Sequence, residues 1–198
     1  MEIGKIQRLF KGIRKRTDIH LFLRIWKMEN VCEVGVWKGK FFRELAKGRP
    51  KHLVGIDWWK TNDDPANMAN YGTQKEIDKY ADSVITWAQL NTTEKMKISV
   101  YREDQNIVRE QFPDEYFDLV YLDANHKYLP TKKAIQNWWP KVRHGGILGG
   151  HDYYRGISMN GIVYGVVEAA DEFVEEQGIP HNLHITIEEL PSFFILKP

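Results

Sequence analysis

Short apolar runs alternate along this chain with stretches whose apolar residues return every three to four positions. The runs at 31–36, 53–56, 98–101, 117–122 and 145–150 have the length and composition of buried strands. Between them lie helical patterns. FFRELAKG follows the first run, and Thr73 with Glu76 forms a capping box ahead of Ile77, Tyr80, Ala81, Val84, Trp87 and Ala88. Pro130 suits the first turn of a helix that presents Ala134, Ile135, Trp138 and Trp139 before Pro140 stops it. Ile162, Val163, Val166, Val167, Ala170 and Phe173 form the face of a last helix, ended by Gly178 and Pro180. Residues 183–187 and 193–196 read as a closing strand pair. Strands alternating with helices predict a parallel sheet with right-handed crossovers, here five βα units and a final hairpin.

The start of the chain is patterned differently. Ile3, Ile6, Phe10 and Ile13 keep helical spacing, with Lys5, Arg8, Lys11, Arg14, Lys15 and Arg16 between them. This basic amphipathic helix suits packing on the domain or a second subunit, or attachment to an anionic surface. Asp18 is expected to cap a second helix running to Met28, although Ile19, Leu21, Leu23 and Ile25 also alternate as a strand would. Residues 58–72 form a polar, turn-rich loop containing Asn62, Asp63, Asp64, Pro65 and Asn67, long enough to be a binding loop or lid.

Composition narrows the class without naming a function. With 198 residues, 42% hydrophobic and 28% charged, the chain suits one globular domain, read as 1–198 with 1–29 as a basic helical extension. A net charge of +1 gives no electrostatic case for nucleic acid. No window approaches about 18 continuous apolar residues, so no membrane span is expected. One cysteine, Cys32, excludes an intramolecular disulfide, and the expected location is cytoplasmic. The basic helix is also a candidate interface for a homo-oligomer.

The candidate chemistry gathers where the strands end. VCEVGVWKG at 31–39 is a strand running into a glycine turn and a helix, the local architecture of a nucleoside site. Its spacing is E-x-G-x-x-x-G, not the G-x-G-x-x-G of dinucleotide binders. Asp57, about twenty residues further on, is placed for a ribose diol; the plain alternative is a turn aspartate. Glu103 and Asp104 end the third strand, where Asp104 also suits a helix cap. The fourth and fifth strands each deliver an acid and an imidazole, Asp123 with His126 and His151 with Asp152. Trp37, Trp58 and Trp59 suit either shielding of a cationic sulfur or core filling.

EVGVWKG, VGIDWW, REDQ, FDLVYLDANHKY, NWWPKVRHGGILGGHDY, YGVVEAADEF and PSFFILKP occur in this order from about residue 31 to the end. In that order and spacing the chain resembles the class I S-adenosylmethionine-dependent methyltransferases, especially a small bacterial branch with D-x-x-H-x-Y and G-H-D-Y segments. The resemblance implies a Rossmann-like α/β fold: a seven-stranded, mainly parallel sheet with helices on both faces and an antiparallel last strand. It implies S-adenosylmethionine as cofactor, with Glu33, Gly35 and Gly39 under the methionine and ribose, Asp57 on the ribose hydroxyls and Asp104 beside the adenine. Trp37, Trp58 and Asp123 complete the expected cofactor site. A looser likeness is to metal-dependent sugar O-methyltransferases, whose carboxylates after strands four and five hold magnesium. Asp123 and Asp152 match those positions and His126 matches the base, whereas His151 stands where that group has an acid. Asp123, His151 and Asp152 are therefore candidate metal ligands, a set closer to a transition-metal site than to magnesium.

The expected activity is O-methylation of a small polar or sugar-like acceptor, with His126 as general base and Asp123 beside it. The alternative for His126 is a loop histidine satisfied by Asp123, and for His151 a structural histidine. Two other functions stay open on the residues: a nucleotide-dependent oxidoreductase, and a nucleoside-binding scaffold without catalysis. The missing G-x-G-x-x-G and the final hairpin weigh against the first.

Overall fold

The computed structural model describes residues 12–61, 72–157 and 161–198. The amphipathic pattern at 3–10 and most of the turn-rich loop, 62–71, lie outside the described residues.

Seven strands form one sheet: β1 (Asn30–Val34), β2 (His52–Asp57), β3 (Lys97–Arg102), β4 (Phe117–Leu122), β5 (Val142–Gly150), β6 (Leu183–Ile185) and β7 (Phe193–Leu196). Their order is β3-β2-β1-β4-β5-β7-β6. Neighbours from β3 to β5 pair in parallel, and β7 is antiparallel to both β5 and β6. The central strands are apolar on both sides because both faces of the sheet are covered. Leu53, Leu119 and Tyr121 face one core with α1 (Ile19–Ile25), α2 (Lys40–Ala46) and α3 (Gln74–Asn91). Cys32, Val54, Val120 and Leu148 face the other with α4 (Gln105–Val108), α5 (Tyr128–Trp138) and α6 (Val166–Glu176).

Local signals account for most boundaries. Thr73 and Glu76 exchange the two bonds of a capping box at the start of α3. The Asp104 carboxylate accepts the Asn106 N–H at 2.7 Å and so caps α4. Two expectations are corrected. Asp18 precedes a helix, but its carboxylate turns back to accept the N–H groups of Arg14 and Lys15, at 3.1 and 2.9 Å, leaving α1 without a side-chain cap. The helix itself stops at Ile25, short of Met28. The last helix starts at Val166 rather than Ile162; Val163 forms an isolated bridge with Ile157 and is 64% exposed. Gly165 is the N-cap of α6.

The parallel strands set up the site. From β1 the chain crosses to β2 on one side and later to β4 on the other, so the direction of winding reverses between β1 and β4. A crevice opens at the carboxyl ends of the strands at such a reversal. Val34 is in register with Ile56 and with Leu122. The residues one step further, Gly35, Asp57 and Asp123, therefore emerge side by side at this edge.

Candidate functional site

Gly35 lies in the left-handed region at φ 92° and is pressed against the end of β4: a Cβ there would sit 2.1 Å from the Asp123 carbonyl oxygen. Only glycine fits this position, both for its backbone angles and for its contact. The Gly35 N–H bonds the Ile56 carbonyl at 2.8 Å, and the Asp123 N–H bonds the Val34 carbonyl at 2.7 Å. Three strand ends are thereby tied into one floor.

Above that floor is a crevice lined by Val34, Gly35, Trp37, Ile56, Asp57 and Trp58, with residues 103–106, Asp123 and Ala124 opposite. Asp57 holds its near wall. One carboxylate oxygen accepts the Trp37 N–H at 2.7 Å and the other the Trp59 N–H at 2.9 Å. The Trp59 indole then donates to the Trp37 carbonyl at 2.8 Å. Both tryptophans have positive φ, 50° and 44°, a costly conformation for a bulky residue that this bonding enforces. Burial raises the Asp57 carboxyl above the usual aspartate range, against the lowering effect of N–H groups from Trp37, Trp59 and Val36. On the opposite wall Glu103 accepts the Asp104 N–H at 2.8 Å, and one Asp104 oxygen holds Asn106.

A second cleft adjoins the first, sharing Gly35, Trp37, Asp123 and Ala124 with it. Its other walls include Arg16, Glu33, Lys38, Phe41, His126 and Asp152. Asp152 is its organising acid. His126 Nδ1 lies 3.2 Å from one oxygen and His151 Nδ1 lies 2.8 Å from the other. Both imidazoles therefore turn Nδ1 toward the Asp152 carboxylate. Burial works to raise the Asp152 carboxyl, but the His151 hydrogen bond and the charges of His126, His151 and Arg16 outweigh it and hold Asp152 below the ordinary range. Asp152 also has φ 55°, strain located at the site.

Glu33 ends in this cleft at 1% exposure, and its Oε2 has no hydrogen-bond partner. Burial first, and Asp123 second, push its carboxyl well above the usual range.

The expected site residues divide between these spaces. Gly35, Trp37, Asp57, Trp58, Asp104 and Asp123 line the crevice. Glu33 faces the adjoining cleft instead, with His126 and Asp152. Gly39 lines neither: at φ 72° it is the N-cap of α2, and a Cβ there would meet Val84 of α3 at 2.8 Å. Trp59 is core, 1% exposed.

Of the candidate metal ligands, His151 Nδ1 lies 2.8 Å from Asp152 Oδ1 and 3.7 Å from Asp123 Oδ1. Asp123 Oδ2 pairs with the Arg16 guanidinium at 3.1 Å. Among the described residues no three His, Cys, Asp or Glu side chains are grouped so that they could hold a metal ion. Sequence reasoning missed Arg16, which looked like one more cation on a basic helix, and missed Gln105 and Asn106 in the crevice wall. Among the described residues no helix is long and apolar enough to cross a membrane.

Residues 32–153 match a family described as a methyltransferase domain. No curated protein matches the chain in sequence. Among solved structures it is similar to an O-methyltransferase from Bacillus cereus in complex with SAH, with a TM-score of 0.57 and 16% identity over 92% of this chain and 80% of that one. It is also similar to the O-methyltransferase TomG from Streptomyces achromogenes, involved in tomaymycin synthesis and solved with SAM, with a TM-score of 0.55 and 13% identity over 92% and 79% of the two chains.

Proposed function

The chain belongs to the methyltransferase-domain family, and from that premise we propose that it transfers the methyl group of S-adenosylmethionine to a hydroxyl of a small polar, sugar-like acceptor. The observation that carries this reading is the wall of Gly35, Trp37, Asp123 and Ala124 shared by the two spaces. The nucleoside lies in the crevice, with the Asp57 carboxylate toward the ribose hydroxyls and Asp104 toward the adenine. Its sulfonium end reaches the shared wall, so the methyl group points into the cleft that holds His126.

In the transfer the acceptor oxygen forms a bond to the methyl carbon while the carbon–sulfur bond breaks and its electron pair stays on sulfur. The hydroxyl proton goes to His126 Nε2. The products are a methyl ether, SAH (S-adenosylhomocysteine) and a protonated imidazole. Asp152 fixes the His126 tautomer and stabilises the imidazolium that results, 3.2 Å away. Alignment of donor and acceptor supplies about 7–11 kcal/mol of barrier lowering, and the positioned base roughly 10²–10⁴ in rate.

Calorimetry with S-adenosylmethionine, SAH and NAD tests the cofactor. Binding of the two methionine nucleosides and not of NAD is expected; tight NAD binding without either nucleoside overturns the proposal. A screen with radiolabelled methyl donor over sugars and glycans then identifies the acceptor, with His126→Ala as the inactive control.

A further inference from the structure

We infer that the Arg16 guanidinium is the resident cation of the acceptor cleft, taking the place at Asp123 that a divalent ion has in metal-dependent sugar methyl transfer. The inference rests on the methyl-transfer reading for its chemistry, but its geometry stands apart from it. Arg16 Nη1 lies 3.1 Å from Asp123 Oδ2, both side chains being about one-quarter exposed or less, at 24% and 21%. The guanidinium also lies over the Phe41 ring, 5.0 Å from its centroid, and beside the Tyr121 hydroxyl. Tyr121 is itself held by Ser192 at 2.8 Å.

The backbone that delivers this side chain is fixed as well. The Arg16 N–H donates to Glu188 Oε1 at 2.8 Å, and the Ile187 N–H donates to the Arg14 carbonyl at 2.7 Å. The His184 ring nitrogen Nε2 bonds the Ile13 carbonyl at 2.8 Å. Residues 13–16 are thus strapped to the 184–188 segment, and the guanidinium is placed in the cleft rather than swinging above it.

A divalent ion at Asp123 Oδ2 has to displace this cation, and one at Oδ1 is repelled by it across the same carboxylate. At Asp152 it has to compete with both imidazoles, which lie 3.2 and 2.8 Å from the carboxylate. Arginine meanwhile does the electrostatic work an ion would do. It is always charged, and its five donors exceed those used on Asp123 and Tyr121, so donors remain for an acceptor oxygen. Negative charge growing on that oxygen as its proton leaves for His126 is met by a fixed cation. Arg16 exchanges neither proton nor electron in the step.

The test is Mn²⁺ binding to the full chain, read by electron paramagnetic resonance in the presence of SAH. Arg16→Ala and Arg16→Gln are compared with wild type, Gln retaining length and an amide donor should Ala perturb the strap. Both variants are expected to bind Mn²⁺ at least about tenfold more tightly than wild type. Stoichiometric Mn²⁺ on wild type that disappears in Asp123→Asn overturns the inference, and so do variants that bind no more tightly than wild type. SAH affinity, measured by calorimetry on the same samples, separates the two claims. A chain that binds no SAH sinks the methyl-transfer proposal, whereas the Mn²⁺ comparison alone decides the place of Arg16.

Discussion

The Trp37 backbone N–H donates to the Asp57 carboxylate at 2.7 Å, across twenty residues of sequence. With the matching bond from Trp59, this makes Asp57 the knot that holds the crevice wall as well as the proposed ribose contact. Asp57→Ala is therefore expected to act twice. SAH affinity falls by about tenfold or more through the lost charge-assisted bond. Stability falls too, by roughly 1–3 kcal/mol, because two partly buried N–H groups lose their acceptor. Calorimetry and thermal melts measure the two effects separately; unchanged affinity would remove Asp57 from the binding site.

Gly35→Ala tests the floor of the site. The added methyl meets the Asp123 carbonyl oxygen at 2.1 Å, at a backbone angle that already disfavours alanine. The expected loss is about 3 kcal/mol or more, from strain and steric overlap together. A urea titration in which the midpoint barely moves would mean that the β1 and β4 ends yield more easily than these contacts imply.

His126→Ala and Asp152→Asn should both lower turnover while leaving SAH affinity close to wild type. Loss of the base costs roughly 10²–10⁴ in kcat. The asparagine change acts through the imidazole: an amide can offer an N–H to Nδ1 and so reverse the tautomer. Turnover retained in His126→Ala would pass the role of base to another group, His151 first.

Glu33 gives a pH signature of definite sign. Its carboxyl is held well above the usual range in the folded state by burial, and then by Asp123. The folded chain therefore keeps this proton where the unfolded chain has lost it. The stability it contributes is complete below the unfolded glutamate value and is lost as pH rises toward the folded one. Glu33→Gln keeps the shape and removes the titration. Its melting temperature should gain on wild type as pH goes from 5 to 8, each 1 kcal/mol reading as about 2–4 °C. Parallel pH curves for the two proteins would show that Glu33 does not titrate in this way.

The sheet and its helices were legible because their determinants are local. The apolar runs, the Thr73–Glu76 box and the cap at Asp104 each act within a few residues of themselves. The position of Asp57 at a strand end was legible for the same reason. What Asp57 holds was not, since Trp37 and Trp59 come to it through tertiary packing. Asp18 looked like a cap but found the N–H groups behind it instead, a competition between two nearby donor sets that sequence does not resolve. Gly39 shared a motif with Gly35, yet only the latter reaches the crevice, because the turn after β1 carries the chain away to Gly39 at the start of α2. Arg16 was indistinguishable from its basic neighbours until the 184–188 segment fixed it.

The bond between Arg16 and Glu188 joins two segments that both lie outside residues 32–153, the portion matching the family. The crevice is built wholly within that portion, whereas the adjoining cleft takes Arg16 from beyond it. Arg16 is the one residue of that cleft's lining that the matching portion does not supply. If the cleft is the acceptor site as proposed, exchanging the flanking segments changes the cation that faces the acceptor while the crevice stays in place.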